Sequence, residues 1–496
     1  MNLSKSKYCL LWQCPKLLWL DTYHKELRTE NPALAERMVV GNEVGDLAMG
    51  LFGDYTEVTV MKDDGRPDIP AMIEKTRQCI ENGVENICEA SFSYDGLYCA
   101  VDILRREDGG YAIYEVKSST HASDIYGVDI SYQKYVLEHC GITITGTYLV
   151  HINSGYVRGE ELDIRRLFQI VDMSELVAEK TPQLPMRLQL AEKLLALKDE
   201  PTLDIGMHCE DPYHCDYWEY CTRHLPTPSV FDLYRMTTAK KFKYYRQQKV
   251  SYQDLLAVPD LNEKQLRQIQ FHLTGCGAYI DKAGIQAFLN TLSYPLYFLD
   301  FETMQPAIPL YEGTKPYAQI PFQYSLHYIE VPGGELKHKE FLAESGTDPR
   351  RAIAESLCRD IPMHICVTAY NKSFECSRLK ELAQQFPDLA SHLLDIQENI
   401  RDLLVPFQSG HYYNRAMGGS FSIKSVLPAL FPNDPALDYH NLECVHNGAE
   451  AMTIFPKIKD MSPKDQSAAR ASLLAYCKLD TYALVKVWEA LEEAVK

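Results

Sequence analysis

The heptapeptide Tyr297–Thr303, YFLDFET, constrains the fold of this chain more than any other stretch. It reads as a buried strand, yet it carries Asp300 and Glu302. Side chains alternate along a strand with a period of two, so both carboxylates point to one side. Burying one unpaired carboxylate is costly, and a second beside it adds to the cost unless a cation lies between them. The local sequence supplies no Arg or Lys. The pattern therefore predicts a bound metal ion, or a cation brought in from elsewhere in the chain.

At 496 residues the chain exceeds what one hydrophobic core holds, and two or three domains are expected. Residues 56–150 read as strands with one or two helices: TEVTV, a helix through Ile73 to Asn82, CEASFSYDGLYCAVDILRR, YAIYEVKSS and GTYLVHIN, with a helix over Asp129–His139 before the last. Met173–Lys198 reads as helical. Segments YFLDFET, FQYSLHYIE, HKEFLAE and ICVTAY alternate with helices towards the C-terminus, the mark of a second α/β domain. The division is into residues 1–225, a helical and locally basic bridge at 226–293, and 294–496.

No apolar run reaches membrane-spanning length, and Gln13, Pro15 and Lys16 interrupt the apolar patch near the start, so a cytoplasmic protein without a membrane partner is expected. Fifteen scattered cysteines then argue against a disulfide framework. The formal net charge of -18 repels nucleic acid at long range, so any such partner requires a local basic surface. AKKFKYYRQQK offers one: Lys240, Lys241, Lys243, Arg246 and Lys249 alternate with Phe242, Tyr244 and Tyr245. This mixture suits a phosphate backbone and stacked bases, and equally a solvated helix face over core aromatics.

In AVDIL…YAIYEVKSS, Asp102 ends one strand, while Glu115 and Lys117 share a face of the next. Two acids and a lysine converging on one spot can hold a divalent metal, with Lys117 orienting or deprotonating the attacking water; Gln133 on the following helix can reach the same place. The bare D-x(12)-E-x-K spacing also fits a salt-bridged edge strand. With its surroundings, from about Ser4 to His224, the stretch resembles the RecB-like branch of the PD-(D/E)XK nucleases, matching at Asp102, Glu115, Lys117 and Gln133, with Tyr135 completing a glutamine-tyrosine helix signature. The resemblance implies a restriction-endonuclease-like α/β domain. Gly45 stands where that family usually has a histidine, and Glu89 is the substitute contact for a metal.

Cys209, Cys215 and Cys221 follow at two equal spacings of six, with Cys14, before Pro15, as the candidate fourth ligand. Four thiolates close a tetrahedral zinc site or bind an iron-sulfur cube. The short C-x(2-4)-C hairpin usual for structural zinc is absent. The RecB-like iron-sulfur nucleases share this arrangement of one early and three late cysteines, which implies a [4Fe-4S] cluster clasping both ends of the domain, with zinc as the alternative and His208 or His214 as substitute ligands.

Downstream, Tyr476 and Asp480 in LLAYCKLDTYALVKVWEAL are four apart and share a helix face. Between them and the D-x-E strand, AYNKSFECSRL offers Asn371, Phe374 and Glu375. This order resembles the DEDDy group of RNase H-like exonucleases, with Glu375 standing where that family has aspartate and Asp402 in reserve. The resemblance implies an RNase H-like α/β domain whose Asp300, Glu302, Glu375 and Asp480 hold two Mg²⁺ or Mn²⁺ ions about 4 Å apart, with Tyr476 positioning the water. The expectation for the whole chain is a metal-dependent nuclease of exonuclease type with two active sites, acting on DNA, favoured as single strands or ends, with RNA as the lesser alternative, in repair or defence. The alternative is a nucleic-acid-binding or regulatory protein with one or both sites inactive, for which Gly45 and Glu375 speak.

Overall fold

The computed structural model describes residues 3–30, 32–442 and 444–496, and the protein is mixed α/β. By packing it divides into two units, residues 1–225 with 306–317 and residues 226–305 with 318–496, so the stretch 226–293 lies within the second. Among the described residues no helix is long and apolar enough to cross a membrane.

The first unit contains β1 (Leu3–Ser4), α1 (Lys5–Gln13), α2 (Pro15–Tyr23), β2 (Thr56–Glu57), β3 (Asn86–Tyr94), β4 (Leu97–Glu107), β5 (Gly110–Lys117), α3 (Asp124–His139), β6 (Ile144–Ile152) and β7 (Phe168–Asp172). Its sheet runs β2-β3-β4-β5-β6-β7, with β1 alongside β4. Strands β3, β4 and β5 are antiparallel neighbours, and the first hairpin turns on Asp95 and Gly96, both at positive φ as a tight two-residue turn requires. The pair β5 and β6 is parallel, which needs a crossover, and α3 provides it. The helix expected over Met173–Lys198 is broken into Ser174–Lys180 and Leu184–Leu195. Pro182 and Pro185, which lack a backbone donor, fall at the break and in the first turn after it.

One irregularity positions the first candidate site. The β4–β5 ladder stops at the pair Ile103–Tyr114, one step short of Asp102 and Glu115. There the Asp102 carboxylate, rather than a strand carbonyl, accepts from the Val116 backbone N–H at 2.6 Å. On β5, Ile113 packs into the core cluster that includes Val128, Tyr132 and Val136 of α3, whereas Ala112, Tyr114 and Val116 face a separate core on the other side. Glu115 and Lys117, in phase with Ile113, therefore lie under α3.

The second unit has a five-stranded sheet in the order β11-β10-β9-β12-β13, and a two-stranded ribbon of β8 (Ala278–Ile280) and β14 (Tyr412–Asn414). The strands are β9 (Leu296–Met304), β10 (Ile320–Ile329), β11 (Leu336–Leu342), β12 (Cys366–Ala369) and β13 (Ile400–Asp402). The pairs β9–β10 and β10–β11 are antiparallel, and β9–β12 and β12–β13 parallel. Both faces are covered. Tyr297, Leu299 and Phe301 pack against α4 (Arg350–Asp360), α5 (Ser373–Gln385) and α6 (Ala390–Glu398). Leu296 and Phe298 pack against the long C-terminal α7 (Pro463–Val495), where the Phe298 and Trp488 rings lie 5.8 Å apart. Asp300 and Glu302 continue the Phe298 face, so the two carboxylates sit on a central strand beneath a helix.

Leu299 has no exposed surface and anchors the opposite face. Leu299→Ala is expected to destabilise the second unit by about 2–5 kcal/mol through lost transfer energy and a residual cavity. The shift of its urea midpoint measures this, and a shift worth under about 1 kcal/mol, the range of a tolerated volume-conserving swap, would contradict the packing described.

Candidate active sites

In the second unit the geometry gathers the four expected carboxylates. Asp300 and Glu302 project from β9. Asp480 and Tyr476 descend from one face of α7, where Tyr476 hydrogen-bonds Asp480 and Tyr439 donates to Asp480 Oδ1 at 2.7 Å. Glu375 enters from the first turn of α5. That helix is placed by Asn371, in the left-handed region at φ 63°, and by Asp402, whose carboxylate accepts from the backbone N–H groups of Asn371, Lys372 and Leu404 at 2.8, 3.2 and 3.0 Å. Asp402 is thus committed to holding the turn, while Glu375 is buried and its Oε2 has no hydrogen-bond partner.

The electrostatics follow from crowding. Burial first, then Asp480, Glu302 and Glu375, hold the Asp300 carboxyl well above the ordinary carboxylate range. Burial and Asp480 do the same to Glu302, with only the Lys424 ammonium easing it. Glu375 is pushed up to about 8, mainly by burial. Asp480 is pushed up to about 6 by burial, against its two tyrosine hydrogen bonds and Lys424. Among the described residues, Asp300, Glu302 and Cys477 are the one group of three or more potential ligands whose donor atoms lie within 4.8 Å of one another. The donor set fits a divalent cation, because the orphaned Glu375 oxygen and the mutually repelling oxygens lack the positive charge that burial demands. A cleft of about 840 Å³ opens beside the cluster, lined among others by Lys424, Leu427, Phe431, Tyr439, Tyr476 and Asp480.

The first unit also brings its predicted residues together, but balances them differently. Glu115, with no exposed surface, accepts from Lys117 Nζ at 2.5 Å, from Lys5 Nζ at 2.9 and 3.1 Å and from Gln133 Nε2 at 2.7 Å. Asp129 completes the group, accepting from Lys117 at 3.0 Å and from Gln133 at 3.2 Å. Burial, then Asp102 and Asp129, raises Glu115 to about 7 against the two ammonium groups. Burial likewise opposes ionisation of Asp129, yet Lys117 and Lys5 hold its carboxyl well below the usual range. Burial alone would depress Lys117, but Asp129, Glu115 and Asp102 raise it well above its ordinary value. It stays an ammonium group, suited to orienting an anion or water and unsuited to deprotonating one.

Glu89 lies in β3 at φ 57°, opposite Asp102, where the β3–β4 pairing is interrupted between Cys88–Ile103 and Ala90–Val101. Burial, then Asp102, raises it to about 7, so it faces the same centre from the other side. Gly45 lies in the helix Pro32–Ala48, and a Cβ there would meet nothing within 4 Å. Here the fit to a metal is partial: Asp102 and Glu89 lack a direct cationic partner in this network, while Glu115 is already held by two lysines.

Cys14, Cys209, Cys215 and Cys221 line one small cavity together with Lys16, Asp204 and His208. Cys14 joins α1 to α2, and Gln13 Nε2 donates to the carbonyls of His208 and Tyr213 at 3.0 and 2.7 Å, pinning the two distant segments together. Burial raises all four thiols, Cys209 to about 11 and Cys215 to about 12, and each is raised further by charge on at least one neighbour. No thiol of the set is in a disulfide. His214 is turned away onto Glu210.

The basic stretch lies mostly in the helix Thr238–Arg246, with Lys249 beyond its end; Phe242 and Tyr244 are core residues, while Lys240 pairs with Asp260 and Lys241 donates to the Phe231 carbonyl. The solvated-face reading describes it better than a nucleic-acid surface. Lys5, Asp129, Tyr439, Lys424 and Cys477 escaped sequence reasoning. Only Asp129, four residues before Gln133, and Cys477, beside Tyr476, had a local spacing that could have marked them.

A domain of unknown function, DUF2779, matches residues 297–422, which include Asp300, Glu302 and Glu375 and stop before Tyr476 and Asp480. The chain is 27% identical over 237 residues to the uncharacterized protein UU173 of Ureaplasma parvum, covering 42% of this chain and 32% of that one. It is 25% identical over 246 residues to the uncharacterized MG366 homolog of Mycoplasma pneumoniae, covering 45% and 36%. The chain thus spans about a third of the length of these relatives. No solved structure matches it.

The raised carboxyls have a pH signature. Because Asp480 and Glu375 titrate near 6 and 8 in the fold and near 4 when unfolded, the native state keeps protons that the unfolded chain releases. With chelator present, stability of the second unit is expected to fall as pH rises from about 4 to about 8. Thermal unfolding across that range, with Glu375→Gln reducing the slope, checks it; stability rising over the range would contradict it.

Proposed function

We propose that this chain is a metal-dependent nuclease that hydrolyses phosphodiester bonds of DNA or RNA, with its principal active site in the second unit. The single observation that carries the reading is the convergence of Asp300, Glu302, Glu375 and Asp480 beside Tyr476, with Glu302 and Glu375 buried, Asp300 and Asp480 half-buried, and one Glu375 oxygen unpartnered. Asp300, Glu302, Glu375 and Asp480 would hold Mg²⁺ or Mn²⁺. Divalent ions at such a site supply Lewis-acid stabilisation of phosphoryl charge and a more acidic bound water. The chain itself contributes Tyr476, tied to Asp480 and so able to fix a water at the edge of the carboxylates. Lys424 is placed to meet a phosphate, and Leu427 and Phe431 offer apolar surface for a base. The mixed sheets with helices on their faces agree with restriction-endonuclease-like and RNase H-like domains. Repair or defence is the setting that the paired nuclease resemblances suggest.

For the first unit, Asp102, Glu115, Lys117, Gln133 and Glu89 form the second nuclease-type centre, and Cys14, Cys209, Cys215 and Cys221 hold a [4Fe-4S] cluster. The order of one early and three late cysteines, without a short C-x(2-4)-C hairpin, supports the larger group over zinc. A second reading has one specific observation in its favour. Glu115 is already engaged by Lys5, Lys117 and Gln133, as expected of a first unit that binds nucleic acid without cutting it.

Anaerobically purified protein incubated with labelled single- and double-stranded DNA and RNA plus Mg²⁺ or Mn²⁺ is expected to cut. Asp300→Asn should lower the rate by about 100-fold or more, the scale of losing one preorganised charge at a reacting centre. A further loss in Asp102→Ala would assign the first unit an active role, and an unchanged rate would assign it binding. Binding without cutting under any metal would overturn the nuclease reading. Independently, the fresh protein should absorb broadly near 400 nm as iron-sulfur proteins do, and Cys215→Ser should lose that absorbance; a colourless protein carrying zinc would reverse the assignment.

A further inference from the structure

We infer that Cys477 is a metal ligand of the second unit, so that Asp300, Glu302 and Cys477 form a mixed thiolate–carboxylate site for a thiophilic divalent ion such as Zn²⁺ or Co²⁺. The inference rests on the reading that these carboxylates hold a metal, and it adds which ion they prefer. Three observations carry it. The ligand atoms of the three residues lie within 4.8 Å of one another. Glu375, 2% exposed and electrostatically coupled to Asp300, leaves Oε2 without a hydrogen-bond partner beside them. And the Cys477 side chain is fully buried with Asp300, Glu302 and Asp480 around it, its thiol making a weak contact at 3.9 Å to the Asp300 carbonyl.

The chemistry of the donor set decides the ion. Three protein ligands with an open fourth position are the usual frame of a catalytic zinc, and sulfur selects borderline-soft ions over Mg²⁺, which takes oxygen. Burial first, then Asp300, Glu302 and Asp480, opposes ionisation of the thiol. When an ion binds, the sulfur lone pair forms the bond to the metal and the thiol proton leaves to solvent. Cys477 lies between Tyr476 and Asp480 on α7, so a bond to its sulfur also fixes the helix turn that carries both.

The test uses the full-length protein with its other cysteines intact and Co²⁺ as probe. Wild type is expected to gain a thiolate-to-cobalt charge-transfer absorption that Cys477→Ser and Cys477→Ala both lack in difference spectra. Each variant should bind Co²⁺ about 10-fold or more weakly, with Mg²⁺ affinity unchanged. Circular dichroism confirms that either variant is folded. An identical cobalt spectrum in wild type and both variants, with Co²⁺ uptake still lost in Asp300→Asn, would overturn the role of Cys477 and leave the metal-binding carboxylates standing. No difference in Co²⁺ uptake between wild type and Asp300→Asn would overturn both.

Discussion

The repulsion among Asp300, Glu302, Glu375 and Asp480 is the constraint on which the second unit turns. Four acids crowd together, and the cations that act on them ease only some: Lys424 eases Glu302 and Asp480, and Arg378 eases Glu375. Such an arrangement is tolerable in two ways: by keeping protons, which the raised carboxyls describe, or by holding divalent cations. Everything around the cluster fixes it rather than relaxing it. Phe298 and Trp488 lock β9 to α7, Asp402 holds the turn that presents Glu375, and Tyr439 and Tyr476 clasp Asp480. Strain of this kind is kept where it is used.

The first unit meets a similar problem with a different solution. Lys5 and Lys117 place two ammonium groups against Glu115 and Asp129, so the charge of these two acids is balanced by the chain itself while Asp102 and Glu89 are left without a direct cationic partner. Lys5 is available because β1 pairs with the start of β4, delivering the first residue of α1 to the gap that opens where β4 and β5 part. The contacts of Gln13 with the 208–213 segment, and the cavity shared by Cys14 with three late cysteines, tie the same N-terminal helices to the far end of the unit. The N-terminal segment thus serves the carboxylate centre and the thiol cavity together.

Much of this was legible in the sequence, and what was not has a physical reason. The alternation in YFLDFET placed Asp300 and Glu302 on one face, and the helical spacing of Tyr476 and Asp480 placed them opposite, because both periods are local. The β3–β4 hairpin was readable from Asp95-Gly96. Lys5 and Tyr439 were not readable, since no local period links Lys5 to Glu115 across 110 residues or Tyr439 to Asp480 across 41. Nor could spacing tell Glu375 from Asp402 as the fourth acid. That choice depends on the two backbone N–H groups, of Asn371 and Lys372, that the folded β12–α5 turn aims at Asp402, with Leu404 adding a local third. For the basic-aromatic stretch 240–249 the sequence left two readings open, because its composition does not reveal that Lys240 and Lys241 have partners nearby.

The central claim is that divalent cations, not protons alone, occupy the carboxylate cluster of the second unit at neutral pH. A crystal grown with Mn²⁺ and measured at the manganese absorption edge tests it most directly. The account predicts an anomalous peak within bonding distance of Asp300, Glu302 and at least one of Glu375 and Asp480. Carboxylates hydrogen-bonded to one another, with no anomalous peak among them at saturating Mn²⁺, would contradict it.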